Sequence, residues 1–385
     1  MLGGSLWNSL RYLWLMVSKG HRLGSDFLTV TNRRFCNGPD KVIGWSNGYP
    51  SYYLLSPPML SRPAMNSLTT RLLSIYQWRK LPDLVSLAVT DACNMDCQFC
   101  SFVAMRQTRK TTLSTAELKT AIRRTQELGV STINIVGGEP LLREDLPEVI
   151  RAVDRDLSQV IVFTNGSRLA ERAHELRAAG LTSAIVALDS ADAAEHDRRK
   201  RKPGAFAKAI VGIEAARQAK LLVGISTVAR PEDLANGGLV RLFELGKRLR
   251  VHQILVFDAV PLCDPEAGHA EAWTPMTLDA LIDLCAEYHR RKSYPGIHAY
   301  AYSKSHRSLG CSGGVSHFYI SPYGDVCPCD FDPTTVGNLR EWPLHVLWDR
   351  FTQRGLACAS LDGCRCQSKA PASQLAQISP REESR

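Results

Sequence analysis

Cys93, Cys97 and Cys100 stand in a C-x3-C-x2-C arrangement within VTDACNMDCQFCSF, and Gly137-Gly138-Glu139-Pro140 follows one strand–helix unit later. Thiolates bind iron, and a loop of this length can wrap three of them around one body. A cubane [4Fe-4S] cluster normally takes four thiolates. Three leave one iron without a protein ligand, open to bind a small molecule and pass it an electron. Zinc is the alternative, but it wants four ligands, and no fourth Cys or His is local. In the GGEP segment the two glycines would let the backbone approach a ligand closely. Glu139 and the exposed backbone carbonyls there can accept from an ammonium group.

These residues need elements that deliver them to one place. LVSLAVT (84–90) reads as a buried strand that ends at the cysteine loop. Ser114 and Glu117 form a capping box for a helix ending near Gly129. TINIV (132–136) is the next strand and ends at GGEP. VIVFTN (160–165), SAIVALD (183–189), LLVGIST (221–227) and ILVFDAV (254–260) follow, separated by helix-length amphipathic segments, with a last helix at about 277–292. Short apolar strands alternating with helices predict parallel strands with helices outside. Six such units predict an open α/β barrel whose function gathers at the carboxyl ends of the strands. The cysteine loop and GGEP lie at those ends. So do Asn165, Asp189, Ser226 and Thr227, although a polar residue at a strand end can equally cap the next helix.

The cysteine loop and GGEP resemble the cluster loop and strand-end motif of the radical S-adenosylmethionine (SAM) enzymes, over roughly residues 84–367. The resemblance implies a partial (β/α)6 radical SAM barrel. In that family SAM chelates the open iron, and its reductive cleavage gives a 5′-deoxyadenosyl radical that abstracts a hydrogen atom. Phe99 matches the aromatic placed against the adenine. Gly137, Gly138, Glu139 and Pro140 match the segment that holds the methionine part. Asn165 and Asp189 match segments that contact the ribose, with Ser226 and Thr227 as further candidates. A serine is frequent where Ala187 stands, so one usual polar contact is missing or replaced.

Cys311-x12-Gly324-x4-Cys329, with GDVCPCD inside it and VGNLREWPLHVLW after it, resembles the opening of the SPASM domain, which carries auxiliary [4Fe-4S] clusters. The match then thins. Cys358-x5-Cys364 fits, but Gly355 occupies the preceding cysteine position, Cys366 comes two residues early and no cysteine follows. The fold expected is therefore α/β, a partial barrel with a small C-terminal SPASM/twitch-like cluster domain. One auxiliary [4Fe-4S] cluster is expected, its ligands drawn from Cys311, Cys327, Cys329, Cys358, Cys364 and Cys366. Cys311, Cys329 and Cys366 stand first among these, and a second, partly ligated cluster or a zinc site stays open. Asp330 directly follows Cys329, where enzymes that oxidise a Ser or Cys of a sulfatase carry a general base. The other reading is a turn or capping Asp.

The 385-residue chain has room for more than a barrel core. The expected division is an N-terminal extension of unknown role (1–80), the barrel (81–300), the cluster domain (301–367) and a disordered tail (368–385). In the extension, FLTV (27–30) and YYLL (52–55) read as short strands and LTTRLLSIYQW (68–78) as a helix. Leu6, Trp7, Leu10, Leu13, Trp14 and Val17 fall at helical spacing with Arg11, Lys19 and Arg22 nearby. The segment is too short to span a bilayer. It reads either as a helix packed on the barrel or as one lying in a membrane interface. No signal-peptide pattern is seen, and the 12 cysteines sit in tight groups that suit cluster ligation better than disulfides. A reducing cytoplasm follows, with peripheral membrane contact left open. Cys36, Cys263 and Cys285 read as buried thiols.

The net charge of +9 fits anionic partners or an ordinary basic surface. The run Arg198-Arg199-Lys200-Arg201-Lys202 reads as a solvated loop or as an anion grip. No aromatics interleave with it, so nucleic-acid stacking is not expected. The activity expected is hydrogen abstraction in peptide modification during natural-product maturation. A small molecule or lipid is the alternative substrate, and a non-catalytic iron–sulfur or zinc protein is the alternative of another class. A flavodoxin or ferredoxin would supply electrons. The oligomeric state is not legible.

Overall fold

The computed structural model describes residues 41–76, 80–105, 110–258, 273–305, 307 and 311–354. FLTV, the amphipathic N-terminal segment, Cys36, Cys263, Cys358, Cys364, Cys366 and the tail lie outside the described residues.

A hairpin comes first, β1 (Gly44–Ser46) and β2 (Tyr49–Ser51), closed by Asn47 and Gly48, both at positive φ. Seven strands then run parallel in chain order: β3 (Leu84–Ala88), β4 (Thr132–Val136), β5 (Gln159–Thr164), β6 (Ser183–Ala187), β7 (Leu222–Ala229), β8 (Gln253–Asp258) and β9 (Gly296–Ala299). The first six are the predicted strands, within two residues at each boundary. The seventh, β9, was not foreseen; its GIHA is too short and mixed to declare itself. Helix Pro275–Arg290 precedes it, close to the predicted 277–292.

Alternation along each strand sorts side chains to two faces. Val85, Leu87, Ile133, Ile135, Val160, Val162, Val223, Ile225, Ile254 and Val256 point outward into one large core shared with the helices. Each such fully buried side chain contributes about 1.5–3 kcal/mol of transfer free energy. Inward-facing Ile161, Ile185, Leu222 and Leu255 close instead on Tyr53 and Leu54. The predicted strand YYLL is therefore a turn that plugs the barrel. Its backbone is fixed by side chains, because the Leu54 N–H donates to Gln253 Oε1 at 2.7 Å and Gln159 Nε2 donates to the Leu54 carbonyl at 3.1 Å. The predicted helix at 68–78 forms as Arg62–Tyr76. The Ser114–Glu117 capping box is present and opens helix Thr115–Glu127, with Gly129 following at φ +100°.

The C-terminal cysteine region joins the barrel's sheet. β10 (His317–Ile320) pairs parallel with β3, and β11 (Val326–Cys327) turns back antiparallel on β10. The sheet order is thus β11-β10-β3-β4-β5-β6-β7-β8-β9. Helix Leu344–Gln353 covers this edge through Trp348 and Phe351, and Trp348 Nε1 donates to the Lys80 carbonyl at 2.8 Å. Arg340 reaches Glu117 at 2.6 Å, and Lys110 reaches Asp325 at 3.0 Å. The sheet therefore continues across the expected boundary near residue 300.

Candidate active site

The carboxyl ends of the strands surround a cavity of about 340 Å³. Cys93, Cys97, Cys100 and Phe99 line one side, from the loop after β3. Gly137, Gly138, Asn165, Ala187, Asp189, Ser226 and Thr227 line it at the ends of β4 to β7, and His317, Tyr319 and Asp330 line the β10 side. Sequence reasoning had named most of this ring. It had missed Ser86, Asn134, His317 and Tyr319, and had read Lys200 only as part of a basic run. The signal for Ser86 and Asn134 was present, as polar residues at inward positions of otherwise apolar strands.

The glycines of GGEP serve the protein before any ligand. A Cβ on Gly137 would lie 2.4 Å from the Thr90 carbonyl oxygen, and one on Gly138 2.3 Å from that of Ala92. Only glycine lets this turn close on the chain entering the cysteine loop. The Gly138 N–H donates to Thr90 O at 2.9 Å and the Glu139 N–H to Ala92 O at 2.8 Å. Glu139 is turned into the protein, 1% exposed. It accepts from Thr164 Oγ1 at 2.6 Å, the Asn165 N–H at 2.7 Å and the Leu141 N–H at 3.0 Å. Burial raises its pKa against those three donors. The expectation of Glu139 facing an ammonium group thus meets a carboxylate that ties the ends of β4 and β5 together, with Pro140 buried behind it. Asn165 faces the cavity and donates to Asn94 of the cysteine loop at 2.9 Å. Ser226 stands directly across from Ala187 in the β6–β7 register, which offers a hydroxyl beside the position that lacks one.

The basic run divides: Arg198, Arg201 and Lys202 are exposed, as the solvated reading expects, whereas Arg199 and Lys200 are buried in ion pairs. Arg198, Arg199 and Lys200 form the last turn of helix Ala193–Lys200, where cations complement the helix dipole. Arg199 is buried and pairs with Glu195 at 2.6 Å and Asp233 at 2.5 Å. Its carbonyl accepts from the Gln98 N–H at 2.9 Å, which ties the cysteine loop to this helix. Lys200 pairs with Asp189 at 2.7 Å, both nearly fully buried. Burial alone would raise the Asp189 pKa, but Lys200 more than offsets it and the net shift is downward. Phe99 carries the Arg230 guanidinium 5.5 Å above its ring.

His196, on the same helix, accepts from the Asp189 N–H at 3.1 Å through Nδ1. Burial, reinforced by the charge of Lys200, pushes its pKa down to about 4. The unfolded chain protonates near the ordinary value of about 6.5, before the folded protein does. Stability is therefore full above about pH 6.5 and falls by roughly 3 kcal/mol as pH drops toward 4. Denaturant titrations across this range should show the loss, and His196→Gln should flatten it. An unchanged slope in the variant would remove His196 as the cause.

A cluster held by the first three cysteines fits the local chemistry. The thiols are partly exposed around one cavity with no competing Asp, Glu or His between them in sequence beyond Asp96. Among the described residues no three His, Cys, Asp or Glu side chains converge tightly enough to grip a single metal ion. Burial pushes the Cys97 thiol up to about 11, with Lys200 opposing. At the second centre, Cys311 and Cys329 flank Gly313: a Cβ there would lie 3.5 Å from Cys329 Cβ and 3.6 Å from Cys311 Sγ. Cys327 is buried and packs with Ala88, Phe102, Met105 and Tyr319. Cys285 is a buried thiol, as expected. Asp330 leaves the cysteine region for the cavity, where its Oδ2 lies 3.1 Å from His317 Nε2, which is itself 3.1 Å from Ser86 Oγ.

Comparison with known proteins places this geometry. The radical SAM superfamily model matches residues 87–235, and an iron–sulfur cluster-binding domain model, SPASM, matches 311–367. The chain is 30% identical over 290 residues to an AdoMet-dependent heme synthase of Methanosarcina barkeri, covering 70% of this chain and 82% of that protein. It is 30% identical over 195 residues to a GTP 3′,8-cyclase of Erythrobacter litoralis, covering 49% of this chain and 58% of the relative. Among solved structures it is similar to Streptococcus suis SuiB bound to its precursor peptide SuiA, with TM-score 0.62 at 16% identity over 82% of this chain and 77% of that one. Both motif sets, their shared cavity and these matches agree: the chain belongs to the radical SAM superfamily, as an enzyme of SAM and [4Fe-4S] clusters with a SPASM domain at its C-terminal side.

Proposed function

We propose that the enzyme oxidises a peptide side chain by removing a hydrogen atom, then a proton and an electron. The observation that carries this is one cavity lined both by the three-cysteine loop and by Asp330, next to Cys329. When bound, SAM and its cluster would supply a 5′-deoxyadenosyl radical for hydrogen abstraction, and one auxiliary cluster would offer an acceptor for the electron. Cys93, Cys97 and Cys100 hold the first cluster, and Cys311 and Cys329 contribute to the second. Phe99, Asn165, Asp189 and Ser226 position SAM. Asp330 accepts the substrate proton at Oδ2, and His317 orients that carboxylate. A flavodoxin or ferredoxin is the electron donor.

The cavity's polarity supports a peptide over a polyanion. Its lining cations among the described residues, Arg71 and Lys200, each lie beside an acid, Asp83 at 2.6 Å and Asp189 at 2.7 Å. Asp96, Asp258 and Asp330 add negative charge. Asn134 Oδ1, Thr227 Oγ1 and the Tyr319 hydroxyl are buried, face the cavity and have no hydrogen-bond partner among the described residues. Buried polar atoms require partners, and a peptide backbone offers both donors and acceptors.

The test is incubation of reconstituted, reduced enzyme and SAM with Ser-, Thr- and Cys-containing peptides, read by mass spectrometry. A peptide lighter by two hydrogens is expected. Asp330→Asn should keep 5′-deoxyadenosine release while lowering product by about a hundredfold or more. Equal product from the variant would remove Asp330 from the reaction. The identity to an AdoMet-dependent heme synthase favours a second reading, a radical reaction in haem synthesis. Turnover of an iron porphyrin and of no peptide would select it.

A further inference from the structure

We propose that the end of the barrel opposite the active site docks on a bilayer rich in anionic lipid. The hairpin β1–β2 crosses that end. Gly44 abuts Leu222 and His252 so closely that a Cβ would lie 2.8 and 2.5 Å away, and Lys41 Nζ donates to the Arg291 carbonyl at 2.9 Å. The hairpin therefore sits beneath the amino ends of β7, β8 and β9. It exposes apolar surface there: Trp45 is 64% exposed, Val42 41% and Tyr49 40%. Trp45, paired with Pro50 on the outer face of the hairpin, suits the headgroup level of a membrane, where an amphipathic ring finds both of its preferred surroundings.

Cations precede the strands at this end. Lys220 precedes β7, Arg248 and Arg250 precede β8, and Arg290 and Lys292 precede β9. All five are exposed, and none has an acidic partner among the described residues. Basic residues at helix ends can be explained by the helix dipole, and Arg248 and Arg290 fit that account. Lys220 and Arg250 do not. They occupy left-handed backbone positions just past the helices, at φ 60° and 51°. Gly takes such a position without strain, whereas a residue with a Cβ is strained there. Two long cations stand where the turn itself favours Gly.

The chain enters this face at Lys41. The preceding 40 residues carry the apolar series Leu6, Trp7, Leu10, Leu13, Trp14 and Val17 at helical spacing. No described helix is long and apolar enough to cross a membrane, so the contact is interfacial. A nucleic acid would match the charge but gains little from Val42 and a lone projecting Trp45.

The test is flotation of the full-length, cluster-loaded protein with vesicles of phosphatidylcholine alone or mixed with phosphatidylglycerol. Binding is expected only with the anionic lipid, and raised salt should reverse it. The charge-reversal pair Lys220→Glu/Arg250→Glu should lower the bound fraction by roughly tenfold or more, and Trp45→Ser should lower it independently. Both variants should release 5′-deoxyadenosine at the wild-type rate, which verifies that they fold. Equal flotation on neutral vesicles, or variants that float like wild type, would overturn the proposal. The latter includes the case in which the chain's own first 40 residues cover the hairpin. Binding of RNA without vesicle binding would also overturn it.

Discussion

Replacing Cys93, Cys97 and Cys100 together with Ala abolishes release of 5′-deoxyadenosine while leaving residual iron on the protein. This is the largest effect expected of any change in the chain. Even groups that only support a metal ligand cost 10–100-fold when removed. Loss of every thiolate on one side of the cavity should exceed about a hundredfold. The residual iron follows from geometry, because Cys311 and Cys329 lie together around Gly313 in the β10–β11 region and not in the loop after β3. The measurement is 5′-deoxyadenosine and iron content after anaerobic reconstitution with iron, sulfide, dithionite and SAM. A variant that still cleaves SAM would sink the assignment of these cysteines. A variant stripped of all iron would sink the separate second centre.

Lys200→Met should destabilise the protein by about 3–5 kcal/mol, because it leaves the Asp189 carboxylate buried without its partner. The pair's pH window follows from the two shifts. The Asp189 pKa is lowered, with burial opposed by Lys200, so its contribution is complete above about pH 4 and is lost as pH falls through the folded value. The Lys200 pKa is raised, with burial opposed by Asp189 and the neighbouring thiols, so its contribution is complete below about pH 10 and is lost as pH rises through the folded value. The ion pair is thus fully present across neutral pH, and that is where chemical denaturation should find the deficit. Adding Asp189→Asn to the variant removes the orphaned charge and should recover part of it, as a double-mutant cycle would measure. A single variant as stable as wild type would show that the pair breaks even against solvent. The effect reaches the active site as well, because Asp189 lines the cavity and Arg199, next to Lys200, holds the cysteine loop through the Gln98 N–H.

The chemistry was legible wherever it depends on residue type at short spacing. Three thiols within eight residues are close neighbours in any fold, and a strand followed by a Ser–Glu capping box and another strand places GGEP beside them. Six buried strands announced themselves by apolar runs because both of their faces are covered. YYLL misled for a related reason. Its side chains are buried as in a strand, but the chain turns there and the plug is held by Gln159 and Gln253 from distant strands. The GGEP glycines were expected to serve a ligand. Their crowding against Thr90 and Ala92 shows a constraint between segments almost 50 residues apart, which no local pattern carries.

The sequence alone determined the superfamily, through the resemblance carried by the cysteine loop and GGEP, and the parallel strands, because two-sided burial marks each of them as an apolar run. The tertiary structure alone decided what each polar residue faces. It turned Glu139 away from the cavity and buried Lys200 against Asp189. It also brought His317 and Asp330 from the C-terminal region to Ser86 on the first barrel strand. These pairings cross 11 to 231 positions of chain, and only the sheet's pairing order, with β10 laid beside β3, brings the longest of them together.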